Sequence, residues 1–426
     1  MPASALLGVP AAAVGGTTSR DRLVANTAWM CARSGVRLLL HAGYFIIVAR
    51  VLGAGGYGEF IAVAALAAML VPFGSCGTGN LLVRNVSRDP ATLAESWSTA
   101  LVTTAVSGLL LTIALMALAA YFLSGTSALL VALVGAADLV FAPFADICGK
   151  AFQAQQRLDV TAGLDTVLSA AKVVAALGLF VVASAPTPVT WAWLYAGANA
   201  VAAVVSIGVV YARHGRLPLQ IRMSLRSARE GLYFALSLWA QVFQKDIDKM
   251  IIVRCSGLQA AGIYAAASRI VEIAFTPVYS LLAATYPGFF RHGSAGLRAT
   301  IAYARPFVLG GAVYGLVTGV ALALGAPLLP HVLGESFAGS VEAMQWLALL
   351  PLLRALHYVG GDVLTGAGFQ RLRTSLQILV GAAAVGMAMW AIPLYSWRGA
   401  AGAAVASNVL LVVASWAAIV VMRRRS

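Results

Sequence analysis

The stretches "IIVARVLGAGGYGEF" (46–60) and "MIIVRCSGLQAAGIY" (250–264) align at an offset of 204 residues. Arg50 meets Arg254, Gly53 meets Gly257, Gly58 meets Gly262, and Phe60 meets Tyr264. Each stretch joins a cation-bearing apolar helix to the next helix through a short turn, where glycine permits a tight reversal and close approach. The offset is close to half of the 426 residues. Six helices separate equivalent points, so both halves keep one orientation, as in repeats related by an axis along a membrane normal. A looser echo sets "QQR" (155–157) against "FQR" (369–371), after the fourth helix of each half.

Composition fixes the class. The chain is 61% hydrophobic and 10% charged, with a mean hydropathy of +0.87, whereas soluble domains are about 25% charged. Apolar runs of about 20 residues recur along it, the mark of transmembrane helices. The pattern predicts twelve, near 24–49, 59–82, 97–120, 128–149, 160–183, 190–212, 231–253, 259–283, 303–325, 341–366, 375–395 and 399–421. The fold class is all-α integral membrane, in two pseudo-symmetric lobes of six helices. Residues 23–212 make the first lobe, 213–230 a cytoplasmic linker and 231–422 the second lobe. Short tails at 1–22 and 423–426 flank them. The first tail lacks the basic start of a signal peptide, and Pro10 interrupts its apolar run.

A net charge of +14 would suit a nucleic-acid binder, but its distribution points elsewhere. With both termini in the cytoplasm, 19 basic residues fall on cytoplasmic segments and three (Arg50, Arg254 and Arg398) on outer ones. This is a positive-inside bias. The four cysteines show no CxxC pairing, so neither a disulfide framework nor a metal site is expected.

Seven of the 29 basic residues lie inside spans: Arg33, Arg37, Lys172, Lys245, Lys249, Arg269 and Arg354. An ionisable group at the bilayer centre costs about 2.5–3.5 kcal/mol. Seven facing lipid would cost roughly 20 kcal/mol, more than a typical folding stability. They must face an interior. Helical spacing agrees, because polar residues fall on single faces. The first helix carries Arg33, Arg37, His41 and Tyr44; the fifth carries Thr161, Asp165, Ser169 and Lys172. The seventh carries Ser237, Gln241, Gln244, Lys245, Asp248 and Lys249; the eighth carries Tyr264, Ser268, Arg269, Glu272, Thr276 and Tyr279. The tenth carries Arg354, Tyr358 and Asp362, and the fourth carries Asp138 and Asp146.

Each stripe also has a structural reading. Arg269 with Glu272 and Lys245 with Asp248 are spaced to neutralise each other, and Arg354 could be satisfied through Tyr358 and Asp362 in steps of four. Arg33 and Arg37 have no acid in their own span; Asp138 and Asp165 are candidate partners from other helices. Arginine's planar fork matches phosphate oxygens and stays charged at any working pH. An anion path is therefore the functional reading, and tyrosines such as Tyr44 and Tyr264 would suit sugar rings. No nucleophile elbow, phosphate-binding loop or zinc-binding helix motif occurs, and "DID" (246–248) lies between lysines. The longest outer loop, "APLLPHVLGESFAGSV" (326–341), is short and nearly uncharged, which disfavours a membrane polymerase or ligase.

"ARVLGAGGYGEF", "DKMIIVRCSGLQAAGIYAAASRI", "LLAATYPGFF" and "LLPHVLGESFAGSV" together resemble segments of the Wzx-type lipid-linked oligosaccharide flippases. These belong to the multidrug/oligosaccharidyl-lipid/polysaccharide (MOP) exporter superfamily. Ser256 departs from the leucine common before the glycine at Gly257. The resemblance implies a MATE-like fold of two six-helix lobes around a cationic cavity, and a transporter rather than an enzyme. It implies flipping of an undecaprenyl-diphosphate-linked sugar repeat across a bacterial inner membrane, with polysaccharide polymerase and chain-length machinery as candidate partners. Arg33, Arg37, Lys245, Lys249 and Arg269 match the cavity cations by position, and Lys172 and Arg354 join them by spacing. No cofactor is expected. Coupling to H+ or Na+ would draw on Asp165, Asp248 or Asp362, and His41, Tyr44, Gln241, Gln244 and Tyr264 are sugar-facing candidates. The rival in the same superfamily is a multidrug exporter, whose organic cations need acidic or aromatic cavities.

Overall fold

The computed structural model describes residues 19–123, 125–182, 186–215, 217, 218, 220 and 225–425. Within these, the side chains of 19–34, 36, 37, 158, 182, 225–230, 233, 234, 237, 240, 241, 243–245, 283, 284, 287 and 425 lie outside the description. The described residues are helical almost throughout, and ten segments are long and apolar enough to cross a membrane. Two of the ten are each divided by one glycine, so twelve helical segments result.

The first division falls in Ser19–Gly74, where Gly53 has φ 66° and ψ 174°. It separates α1 (19–52) from α2 (54–74). The second falls in Leu225–Gly293, where Gly257 has φ 84° and ψ 176°. It separates α7 (225–256) from α8 (258–293). The turns expected over several residues are thus single-residue breaks, because glycine alone enters this region without a Cβ clash. The remaining helices are α3 (Leu93–Phe122), α4 (Ala128–Ala154), α5 (Leu158–Val182), α6 (Pro188–His214), α9 (Leu297–Gly325), α10 (Ser340–Gly366), α11 (Gln370–Tyr395) and α12 (Trp397–Arg425). A short helix, Thr78–Arg88, follows α2 and carries the stretch first read as the end of the second span.

The repeat is visible in the packing. A Cβ on Gly58 would collide with the carbonyl oxygen of Leu258, and a Cβ on Gly262 would collide with that of Ala54. These two contacts exchange under the 204-residue offset. The breaks therefore meet across a pseudo-twofold axis, with backbone against backbone.

The second echo holds in place but not in register. After α4, the Arg157 amide donates to the Phe152 carbonyl at 2.9 Å, and Gln156 has φ 59°. After α10, the Phe369 amide donates to the Leu364 carbonyl at 2.8 Å, and Gly368 has φ 89°. Both are helix ends closed through a left-handed residue. They pair Gln156 with Gly368, an offset of 212, two residues away from the register of the letters "QQR" and "FQR". The second lobe has therefore gained eight residues between these anchors. The gain falls in the α9–α10 connection, 326–339, which is nine residues longer than its first-lobe counterpart, 123–127; the α8–α9 stretch before it is one residue shorter than its own counterpart.

That longer connection folds into short helical turns, Ala326–Leu328, Leu329–Leu333 and Glu335–Phe337, and crosses to the first lobe. Arg50 Nη1 donates to the carbonyls of His331 at 2.6 Å and Val332 at 2.8 Å, taking acceptors that a helix end leaves free. The Ala54 amide, the first after the Gly53 break, donates to Ser336 Oγ at 3.0 Å. A serine of one lobe thus caps a helix of the other, an interaction worth about 1 kcal/mol in ordinary caps. Phe337, buried, lies 6.2 Å from the Tyr57 ring. At the equivalent position of the repeat, no described residue lies within 4 Å of a Cβ on Gly257.

Three apolar cores follow from this. One spans both lobes at the Gly53–Gly257 end, combining Phe45, Val48, Tyr57 and Phe60 with Ala261, Tyr264, Phe337 and Met344. The other two lie towards the opposite end, one per lobe. Leu82, Trp97, Ile147 and Phe152 anchor the first-lobe core, and Phe275, Phe289, Val359 and Leu364 the second. The lobes still touch there at Gly77 and Gly231. Outward faces carry aliphatic side chains, including Val181 at 87% and Leu324 at 77% exposure, as a lipid-facing surface requires.

Candidate functional site

Between the lobes, beneath the shared core, lies a cavity of about 220 Å³. Tyr44 of α1, Tyr57 of α2 and Tyr195 of α6 line it from the first lobe; Asp246 and Lys249 of α7 and Ser268, Arg269 and Glu272 of α8 line it from the second. The polar stripes read from helical spacing on α7 and α8 converge here.

The described charges are paired. Lys249 Nζ is in ion-pair contact with Asp246 Oδ1, and Arg269 Nη1 lies 3.5 Å from Glu272 Oε2. Asp248 accepts from the Tyr264 hydroxyl at 2.6 Å and from the Lys249 amide at 2.7 Å. The pairing on α7 thus joins Asp246 to Lys249, and Asp248 turns to a tyrosine of α8. The side chains of Lys245, Gln241 and Gln244 lie outside the described residues, as do those of Arg33 and Arg37.

A second cavity, about 150 Å³, opens between α1 and α5 and is lined by His41, Asp165, Leu168, Ser169 and Lys172. His41 Nε2 and Ser169 Oγ are 3.2 Å apart. Lys172 Nζ reaches the Tyr195 hydroxyl at 3.4 Å and stands 4.8 Å from the centre of its ring. Tyr195 in turn donates to Asp138 Oδ1 at 2.6 Å. Asp138 sits in a π-helical stretch of α4, Ala136–Phe141, a local form often found at functional sites. This Lys172–Tyr195–Asp138 chain links the two cavities. Sequence spacing placed Lys172 and Asp138 inside, but the tyrosine between them had no signal beyond being aromatic.

Two candidates stand elsewhere. Asp362 Oδ1 lies 3.3 Å from Arg373 Nη1, which also donates to Thr365 Oγ1 at 2.7 Å. The acid that spacing set beside Arg354 thus ties α10 to the start of α11. Arg354 lies half-buried on α10, within electrostatic range of Tyr264 and His357. Asp146, expected to share a face with Asp138, is paired with Lys150 at 2.9 Å. Among the described residues no cluster of three or more His, Cys, Asp or Glu could hold a metal ion, and none of the described cysteines forms a disulfide.

Comparison with solved structures places this architecture. The chain superposes on an inward-facing multidrug resistance MATE family transporter of the MOP superfamily with a TM-score of 0.74 and 14% identity, covering 92% of this chain and 99% of that one. It superposes on the lipid II flippase MurJ in an inward closed conformation with a TM-score of 0.66 and 10% identity, over 92% and 87% of the two chains. A MOP superfamily transporter from Pyrococcus furiosus, described as having a binding pocket of reverse polarity, gives 0.60 and 15% identity over 92% of each. No curated protein matches the chain. The family model described as "Polysaccharide biosynthesis protein" matches residues 23–292, from α1 through α8 and both glycine breaks. With that match across most of its length and a MOP-type fold around an ionic inter-lobe cavity, the chain belongs to the polysaccharide biosynthesis protein family.

Proposed function

We propose that the protein is a flippase for an undecaprenyl-diphosphate-linked oligosaccharide. It moves the repeat from the cytoplasmic to the periplasmic leaflet of a bacterial inner membrane, for surface polysaccharide such as O-antigen, capsule or exopolysaccharide. The observation that carries this reading is the charged cavity between the lobes, lined from both and enclosed by apolar helices, in a member of a polysaccharide biosynthesis family. Both termini face the cytoplasm in this reading, which the distribution of basic residues supports. The Gly53–Gly257 end is then the outer end.

In this reading the arginines of α1, Arg33 and Arg37, with Lys172, take the diphosphate. Lys249 and Arg269, each beside its own acid, offer paired donors and acceptors that suit hydroxyl-rich sugar. The lipid tail stays in the bilayer. Rocking of the lobes exchanges access, and an inside-negative potential favours outward movement of each negative charge by about 2.3 kcal/mol per 100 mV. A coupled proton or sodium ion would use Asp165 or Asp248; Asp362 is engaged by Arg373.

The test is genetic and chemical. Deletion of the gene should leave lipid-linked repeats on the cytoplasmic side, and Arg37→Ala should abolish surface polysaccharide at normal protein level. Normal export by a folded Arg37→Ala protein would refute the anion site. One observation favours a second reading. Asp246, Glu272, Tyr44 and Tyr57 share the cavity lining, and acids with aromatics also suit the organic cations of a multidrug exporter. Drug hypersensitivity on deletion, with no accumulation of lipid-linked sugar, would select that alternative.

A further inference from the structure

The two lobes repeat each other closely, so a difference between them calls for a cause. The clearest one is the connection 326–339, nine residues longer than its first-lobe counterpart, 123–127. We infer that this insertion is the outer lock of the transport path, with Arg50 and Ser336 as the positioning residues that hold it shut.

Four observations converge. The insertion leaves its own lobe and bonds the other on both sides of the Gly53 break. Arg50 reaches two carbonyls, of His331 and Val332, and Ser336 caps Ala54, the first residue of α2. The segment's end also grips its own side: Gly339 packs against the Ile263 side chain, and the hydroxyl of Ser340, where α10 begins, donates to the Ile263 carbonyl at 3.2 Å. It therefore bridges α2 and α8 directly over the Gly58–Gly262 contact. Among the described residues the symmetric position shows no such bridge: a Cβ at Gly53 would meet Ser336 Oγ at 3.3 Å, and one at Gly257 meets nothing within 4 Å.

The consequence is asymmetric. Separation of the outer ends must break the Arg50 and Ser336 bonds on one side of the axis, with nothing equivalent to break on the other. Opening then begins at the Arg254 side and ends at Arg50. The inference rests on the alternating-access reading above, and the experiment separates the two.

All native cysteines are first replaced, and Val48, buried in the shared core, is changed to cysteine as a reporter. A membrane-impermeant charged thiol reagent is then applied from the outer side. Arg50→Gln should raise the labelling rate roughly tenfold, the scale of a lost charge-assisted bond. Ser336→Ala should raise it less, and Arg50→Lys should restore part of the protection. A Cβ built at Gly53 lies 4.0 Å from that of Ser336, within disulfide range. A Gly53→Cys/Ser336→Cys pair should therefore cross-link on oxidation, stop export, and release it on reduction, with Gly53→Cys alone as the control for the strain a side chain meets at φ 66°. Labelling needs no cargo. Labelling unchanged in both Arg50→Gln and Ser336→Ala overturns the lock. Raised labelling combined with normal export by the cross-linked protein overturns the flippase reading instead.

Discussion

Substitution of Gly58 by alanine tests the pseudo-twofold contact on which closure of the outer end depends. The added methyl group would collide with the Leu258 carbonyl oxygen and lie 3.0 Å from the Gly262 amide nitrogen. Both neighbours are backbone, so no side-chain rotation relieves the clash, and α2 and α8 must separate. Overpacking of this kind costs about 1–3 kcal/mol. The penalty falls on the closed arrangement alone, so the ratio of closed to open molecules should drop between about fivefold and 150-fold. Gly262→Ala should do the same through Ala54, and the double variant should fall short of the sum because both relieve one contact. Gly257→Ala is the control. Its Cβ meets nothing within 4 Å, but its φ of 84° penalises any side chain, so stability should fall by about 1–2 kcal/mol without a change in closure. Spin labels at the exposed, symmetry-related positions 55 and 259 would report the distance between the turns by double electron–electron resonance. A Gly58→Ala distance distribution identical to that of the parent would refute the reasoning.

Three further outcomes are expected. Asp362→Asn should lower the unfolding free energy in detergent by about 3 kcal/mol, because Arg373 is left nearly buried with its charge uncompensated; thermal unfolding of Asp362→Leu/Arg373→Met should recover most of that loss. Tyr264→Phe removes the hydroxyl that donates to Asp248 and should cost about 1–3 kcal/mol, measurable in the same assay. Arg398→Ala breaks a two-bond pair with Glu342 at 2.7 Å, yet both side chains are exposed. The melting temperature should stay where it is in low and high salt, since solvent screens such pairs.

Much of this molecule is legible in its sequence. The membrane class, the helix order and the two-lobe repeat follow from hydropathy and from the Arg–Gly–Gly–aromatic register at 46–60 and 250–264. Desolvation cost and helical spacing sent Lys249, Arg269 and Tyr44 inward, and the structure brings them to one cavity. The limits have physical causes. A single glycine can reverse a chain, so Gly53 looked like one position in a longer turn. The second repeat register is set by left-handed backbone at Gln156 and Gly368, and those letters do not match. Spacing on α7 set Lys245 beside Asp248, and the Tyr264 hydroxyl that Asp248 accepts comes from α8, which periodicity along α7 does not report. Asp362 finds Arg373 across a helix hairpin, a distance that no periodicity along one helix reports.

The single shared core at one end, set against two separate cores at the other, has a thermodynamic consequence. Opening the shared end brings Phe45, Val48, Tyr57 and Phe337 towards water, and newly wetted apolar surface raises heat capacity. The balance between the two access states must therefore curve with temperature. Cooling weakens the apolar attraction that holds the shared end together, so the outward-open population should grow in the cold. A van't Hoff plot of that equilibrium should be bent, and its curvature would measure how much of the core each cycle pulls apart.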